Sequence, residues 1–329
     1  MNRWLSRLVL LAGVVCAVAI PAQAKETVTF AYLLDPAYEA VVWPIASGKI
    51  TSDTIDVEMR ALDIPALLQA TGAKTYDVIM TAAIGVPQAK ARGLDLEIMA
   101  TALRNHPEGG KGGDIFVKAD SPYHTLADLK GKTIGNYSLP STGTTLLRIA
   151  LAKKFGFNVA FDGGDFKWVQ MPASALPGAL ATGRIDAASL SHSQAYLAEK
   201  DKTFRVLVRL NKAVNEAVGG PAISAILASY PEKLKARPAA FKEFARMIAA
   251  SNLYARSHVA EVAAAMSAKT KLEPAYFGIW LKEYFDTPMT ISDTDLLVIK
   301  NLWIEAKALG IIKSYPDIAT VVWPGALRQ

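Results

Sequence analysis

The densest group of hydrogen-bonding side chains is Ser138 with Ser141-Thr142-Gly143-Thr144-Thr145, directly ahead of the apolar run that begins at Leu146. Hydroxyls in front of a helix leave its first amides pointing outward, where amides and helix dipole favour an anion or a carbonyl oxygen. A second group, Ser189, Ser191 and His192, follows a short apolar stretch, and its imidazole can donate to a carboxylate or stack on a ring. Thr81, Ala82 and Ala83 end another apolar stretch, where small side chains let a ligand approach the backbone. Arg104 carries the planar fork suited to bidentate recognition of an acid. Tyr32, Asp35 and Tyr38 flank a strand-to-helix turn and offer an aromatic face for a planar ligand. This is chemistry for holding a molecule. The four histidines, His106, His124, His192 and His258, are dispersed, with no pair at metal-ligand spacing. No Gly-x-Ser-x-Gly elbow occurs, so neither a metal nor a cofactor is expected. Asp186, Ser191 and His192 could form a triad only in space, and adjacent residues rarely orient that way.

Two of these groups end a repeated unit. Ile64 to Gly72 leads into Asp77 and the apolar stretch to Thr81; Leu176 to Gly183 leads into Asp186 and the stretch to Ser191. Each copy predicts a short amphipathic helix, a Thr-Gly stop, an Asp, and a buried parallel strand with hydroxyls at its end. Ligands of open α/β sheets gather at the carboxyl ends of strands, so two such ends predict two lobes facing a shared cleft. Asp77 and Asp186 sit at the opposite ends of their strands, which suits turn or cap duty.

Strand and helix patterns alternate around these units, as in a doubly wound sheet. The glycine-rich 107–113 breaks all periodicity. It lacks the following Lys-Ser/Thr of a phosphate loop and reads as a hinge, with Ile115 to Val117 as a crossing strand. Gly219 to Leu227 returns the chain. The remainder predicts helices over Pro238–Arg256, Val259–Ser267, Pro274–Phe285 and Asp293–Leu309, with Ser292 and Gly310 as caps of the last. In the third, Tyr276, Phe277, Trp280, Tyr284 and Phe285 recur at helical spacing, which is a core face.

The first residues have the three parts of a secretory signal: Arg3 and Arg7, the apolar Leu8 to Ile20, and Ala22-Gln23-Ala24. Cleavage after Ala24 is expected, which removes Cys16, the one cysteine of the 329 residues. The mature chain then has no disulfide and no thiolate nucleophile. Loss of Arg3 and Arg7 takes the formal charge from +6 to +4, with the remaining cations scattered. No basic run interleaved with aromatics suggests nucleic acid, and no later stretch reaches membrane-spanning length.

Three segments carry a family likeness. They are Leu67-Leu-Gln-Ala-Thr-Gly through Asp77 with Gly85 to Gly93 behind it, Leu126-Ala-Asp-Leu-Lys-Gly-Lys-Thr-Ile-Gly135 before the hydroxyl cluster, and Leu180-Ala-Thr-Gly-Arg-Ile-Asp186. In order and spacing the chain resembles the periplasmic solute-binding proteins of ABC importers, in the nitrate/sulfonate/taurine/bicarbonate-type group that includes thiamine-pyrimidine binders. The resemblance implies an α/β, two-lobed periplasmic binding protein fold (type II), each lobe a mixed sheet flanked by helices, with a two-strand hinge. Residues 25–115 plus 220–329 would form lobe 1 and residues 116–219 lobe 2. It implies that the Ser141–Thr145 segment touches ligand, that closure captures a sulfonate, a carboxylate or aromatic acid, or a pyrimidine-like molecule, and that an inner-membrane permease with its ATPase receives it. The expectation is a periplasmic monomer and not an enzyme. An extracytoplasmic sensor, or a cysteine-independent enzyme on the same fold, would share these features.

Overall fold

The apolar stretches between turn signals become strands in the computed structural model, which describes residues 24–108, 110–190 and 192–329. The expected signal segment with Cys16, up to residue 23, and Ser191 lie outside the described residues. The strands are β1 (Glu26–Leu33), β2 (Ile55–Leu62), β3 (Val78–Ala82), β4 (Glu97–Asn105), β5 (Asp114–Lys118), β6 (Thr133–Asn136), β7 (Lys167–Gln170), β8 (Ala187–Leu190), β9 (Phe204–Val208), β10 (Ile223–Ser229) and β11 (Phe285–Asp286). They form two mixed sheets, ordered β11-β4-β10-β3-β1-β2 and β7-β6-β8-β5-β9.

The sheets repeat one plan. In the first, β1 lies parallel to β2 and β3, and β10 runs antiparallel between β3 and β4. In the second, β6 lies parallel to β7 and β8, and β5 runs antiparallel between β8 and β9. The two copies of the sequence unit supply β3 and β8, and their aspartates do identical work. Asp77 exchanges two hydrogen bonds with Thr29, its amide donating to the Thr29 carbonyl and its Oδ2 accepting the Thr29 amide, each at 3.0 Å. Asp186 does the same with Thr133, at 3.0 and 2.8 Å. Each aspartate fixes the register of its strand on the neighbouring parallel strand, at the end away from the cleft. The helix stops differ between copies. Gly183 takes the left-handed conformation as expected (φ 71°), but the first helix runs through Gly72 to Ala73, and Lys74 adopts that conformation instead (φ 54°). The carbonyls of Ala70 and Thr71 accept the Lys74 amide, which moves the cap two residues past Gly72.

The glycine-rich segment is one of two crossings between the sheets. β5, expected to begin at Ile115 as a hinge strand, starts at Asp114 and lies inside the second sheet. The return crossing contains a helix that the periodicity did not reveal, Asn211–Val218, which packs on both Thr142–Phe155 and Asp293–Ala308. Asn215 on this helix binds both crossings. Its Oδ1 accepts from Asn105 Nδ2 and from the Ala222 amide, both at 3.0 Å, and its Nδ2 donates to the His106 carbonyl at 3.1 Å. The segment expected as one helix from Pro274 to Phe285 breaks into Pro274–Ile279, a π turn at Trp280–Tyr284, and β11. Phe285 and Asp286 extend instead because they pair with Asn105 and Arg104 of β4. Among the described residues no helix is long and apolar enough to cross a membrane.

Asp114 sits where both crossings enter the second sheet. It is fully buried; Oδ2 receives Arg209 Nη1 at 2.7 Å, and Oδ1 has no partner. Burial pushes its carboxyl up to about 7 despite Arg209, with Glu199 adding to the rise. The folded-state value thus exceeds that of an unfolded carboxyl, so stability present in mild acid is lost as pH rises through about 7. Asp114→Asn is expected to flatten that decline, read as urea midpoints between about pH 5 and pH 8. Asp186→Ala removes the acceptor of the Thr133 amide and of the Tyr123 hydroxyl (2.7 Å). It is expected to lower unfolding free energy by about 1–3 kcal/mol in a urea titration, with ligand affinity unchanged.

Candidate functional site

The carboxyl ends of β3 and β8 face one another across a cavity of about 130 Å³. Leu33, Leu67, Leu68, Met80, Thr81 and Ala82 line it from the first lobe, and Tyr137, Pro140–Gly143, Leu146, Leu147, Ser189, Leu190 and His192 from the second. Gly113, Asn105, Val214 and Phe285 close it near the crossings. Two hydrogen bonds span the lobes beside it. The Ile84 amide donates to Thr142 Oγ1 at 3.1 Å, and Trp280 Nε1 donates to His192 Nδ1 at 3.1 Å.

The hydroxyl cluster opens helix Thr142–Phe155 as its spacing predicts. Ser141 is the N-cap, its Oγ accepting the Thr144 amide at 3.2 Å and donating to the Ser138 carbonyl at 2.8 Å. Thr144 Oγ1 donates to Asn136 Oδ1 at 2.8 Å. These bonds satisfy the cap internally. Among the described residues, the amides of Thr142 and Gly143 have no acceptor, and both residues line the cavity. The Tyr137 hydroxyl occupies the place where a Cβ on residue 143 would stand, so only glycine leaves that corner open. Burial raises the Tyr137 phenol above its ordinary range.

His192 adopts a left-handed backbone (φ 54°), a strained conformation for a residue with a side chain. Its ring lies 5.0 Å from Phe285 and 6.1 Å from Trp280 between centroids. Indole nitrogen only donates, so Nδ1 is the acceptor and the proton of the neutral imidazole resides on Nε2. The hydroxyls of Thr81 and Ser189 have no hydrogen-bond partner among the described residues, and both line the cavity. No Lys, Arg, Asp or Glu lines it. The arrangement offers several donors, little acceptor capacity, an extensive apolar wall and no fixed charge.

Of the residues singled out in the sequence, Thr81, Ala82, Ser141, Thr142, Gly143, Ser189 and His192 come together on this cavity. Others do not. Arg104 turns away to Asp286, through Nε at 3.0 Å and Nη2 at 2.7 Å, and to Asp295 through Nη1 at 2.9 Å. Its fork is already occupied by two carboxylates and is not offered to a ligand. Tyr32 and Tyr38 stack on one another in the core, and burial lifts the Tyr32 phenol to about 12. Asp35 caps helix Pro36–Ala46 by accepting the Ala37 amide at 2.9 Å. Ala83 is buried, its carbonyl accepting Trp303 Nε1 at 2.9 Å. Ser138 and Thr144 are buried supports of the helix start. Tyr137, Asn105 and the leucine wall escaped the sequence reading, since each has the pattern of an ordinary core residue. Phe285, expected in the core stripe, is in the cavity wall, and Trp280 of the same stripe reaches across to His192. Gly143→Ala is expected to drive its Cβ into the Tyr137 hydroxyl and weaken ligand binding at least tenfold by calorimetry. Adding Tyr137→Phe to the same chain should recover most of that loss.

The solved structures most like this fold are binding proteins. The periplasmic aliphatic sulphonate binding protein SsuA from Escherichia coli matches with a TM-score of 0.70 at 16% identity, over 91% of this chain and 98% of that one. The alkanesulfonate-binding protein SsuA from Xanthomonas axonopodis pv. citri, bound to MOPS, matches at 0.71 and 18% identity, over 93% and 100%. The Candida albicans CA3427 gene product, described as having the generic periplasmic binding protein fold, matches at 0.68 and 13% identity, over 92% and 98%. At such identities these likenesses establish the two-lobed α/β fold alone. No curated protein sequence is similar enough to count as a relative. The sequence model of a family described as ABC transporter, phosphonate, periplasmic substrate-binding protein matches residues 52–227, just over half the chain and all of β3 to β9. By that match and by its two lobes around a shared cavity, the chain belongs to this family of periplasmic substrate-binding proteins of ABC transporters.

Proposed function

We propose that the protein captures a small organic ligand by closing its lobes, 25–115 with 220–329 and 116–219, and delivers it to a permease driven by a cytoplasmic ATPase. The observation that carries this reading is a cavity built jointly by the carboxyl ends of β3 and β8 and bridged by Ile84–Thr142 and Trp280–His192. Relative rotation about the two crossings opens and closes that cavity, the hinge motion of two-lobed binders. The protein acts by binding, without catalysis. Its one cavity-lining imidazole already spends Nδ1 on Trp280, and no carboxylate or lysine stands on the cavity to serve as base or nucleophile. Export on the signal segment, with removal after Ala24, places this work in the periplasm, and the protein works there as a monomer.

A thermal-shift panel tests the reading with alkyl and aryl sulfonates, carboxylates, phosphonates, amino sulfonates and pyrimidines. A ligand at one hundred times its dissociation constant adds about 2.7 kcal/mol to stability. The expected result is an upward shift of about 5 °C with at least one class. A panel without any shift would remove small-molecule capture as the function.

A further inference from the structure

The cavity combines three properties that together select a ligand. Its polar groups are donors: the amides of Thr142 and Gly143, the hydroxyls of Thr81 and Ser189, and Nε2 of His192. Its walls are otherwise hydrocarbon, with Leu33, Leu67, Leu68, Met80, Leu146 and Leu147 prominent. No side chain of fixed charge reaches it, because nearby cations are neutralised elsewhere. Arg104 is paired with Asp286 and Asp295, Lys111 with Glu199, and Arg209 with Asp114 and Glu199.

We infer that the ligand is a singly charged acid with a compact, unsubstituted apolar body, an aryl or short alkyl carboxylate or sulfonate, and that doubly charged phosphonates and zwitterionic amino sulfonates are rejected. The inference rests on ligand capture at this cavity, as proposed above. The helix start supplies about half a positive charge together with two unbonded amides. Hydroxyl and imidazole donors complete a cradle for one anionic head. A second negative charge in the same place has no cation to balance its desolvation. An ammonium group has no carboxylate to meet and would lie against leucine side chains. Size points the same way: a cavity of roughly 150 Å³ accepts a benzene ring, and this one measures about 130 Å³.

The test is isothermal titration calorimetry on the full mature chain, with probes of matched body and differing charge. Benzoate, benzenesulfonate and butanesulfonate are the singly charged set. Phenylphosphonate, at about pH 9 and so above the second ionisation of phosphate-type acids near 6, is the doubly charged probe, and taurine is the zwitterion. The expected result is that one of the singly charged set binds at least about 100-fold more tightly than phenylphosphonate and taurine, a difference of about 2.7 kcal/mol. Phenylphosphonate is expected to gain on its rivals as pH falls and its second charge is lost. Phenylphosphonate or taurine binding as tightly as the best single anion would overturn the inference while leaving capture intact. Binding of pyrimidines alone in the wider panel would also overturn it and leave capture standing. Silence across every class removes both.

Discussion

Asn215 holds both chain crossings at once, and the dimensions of the cleft follow from how closely those crossings lie. A carboxamide is the side chain suited to the task, since it donates and accepts from adjacent atoms. Its oxygen takes Asn105 of the outgoing crossing and the Ala222 amide of the returning one, while its nitrogen reaches the His106 carbonyl. One turn earlier on the same helix, Asn211 Nδ2 donates to the Lys111 carbonyl at 3.0 Å. With the crossings fixed side by side, β5 and β10 enter the middle of opposite sheets, each beside the strand supplied by the repeated unit. The carboxyl ends of β3 and β8 are then directed at a common space.

The distribution of charge follows from the same geometry. Polar groups needed for the hinge are clustered at the crossings, where Asp114, Lys111, Glu199 and Arg209 neutralise one another. The cavity beyond them is left to backbone amides, hydroxyls and hydrocarbon. Donors fixed by secondary structure require no reorganisation when a ligand arrives, whereas a long cationic side chain must give up rotamer freedom. The left-handed His192 belongs to this economy: it is held by Trp280 and Phe285, residues of the opposite lobe.

Much of this was legible in the residues because the signals were local. A hydroxyl cluster before a helix, a strand ending in Thr-Ala, and an Asp at the start of each repeated strand each depend on neighbours in sequence. Seven of the singled-out side chains accordingly lie on the cavity. Arg104 misled because its partners, Asp286 and Asp295, lie 182 and 191 residues away, and nothing local marks them as such. Tyr38 misled because one aromatic on a helix suits a core or a cleft equally, and only packing decides. The π turn at Trp280–Tyr284 was hidden by a flawless helical stripe; it takes the pairing of β11 with β4 to end that helix. Asn215 carried no signal at all, since its three partners lie on two separate segments.

The two sheets differ in how the chain supplies them. The second is contiguous, completed between Asp114 and Val208, whereas the first receives its central strand, β10, only after the whole second sheet has been made. Until β10 arrives, β3 and β4 present unpaired edges to each other across the gap it will fill. The second lobe can therefore assemble from an unfinished chain, while the first depends on contacts of long sequence separation and forms late. For an exported polypeptide this order is useful. The half that closes last keeps the N-terminal third extended and able to pass through a translocation pore while the remainder is still being synthesised.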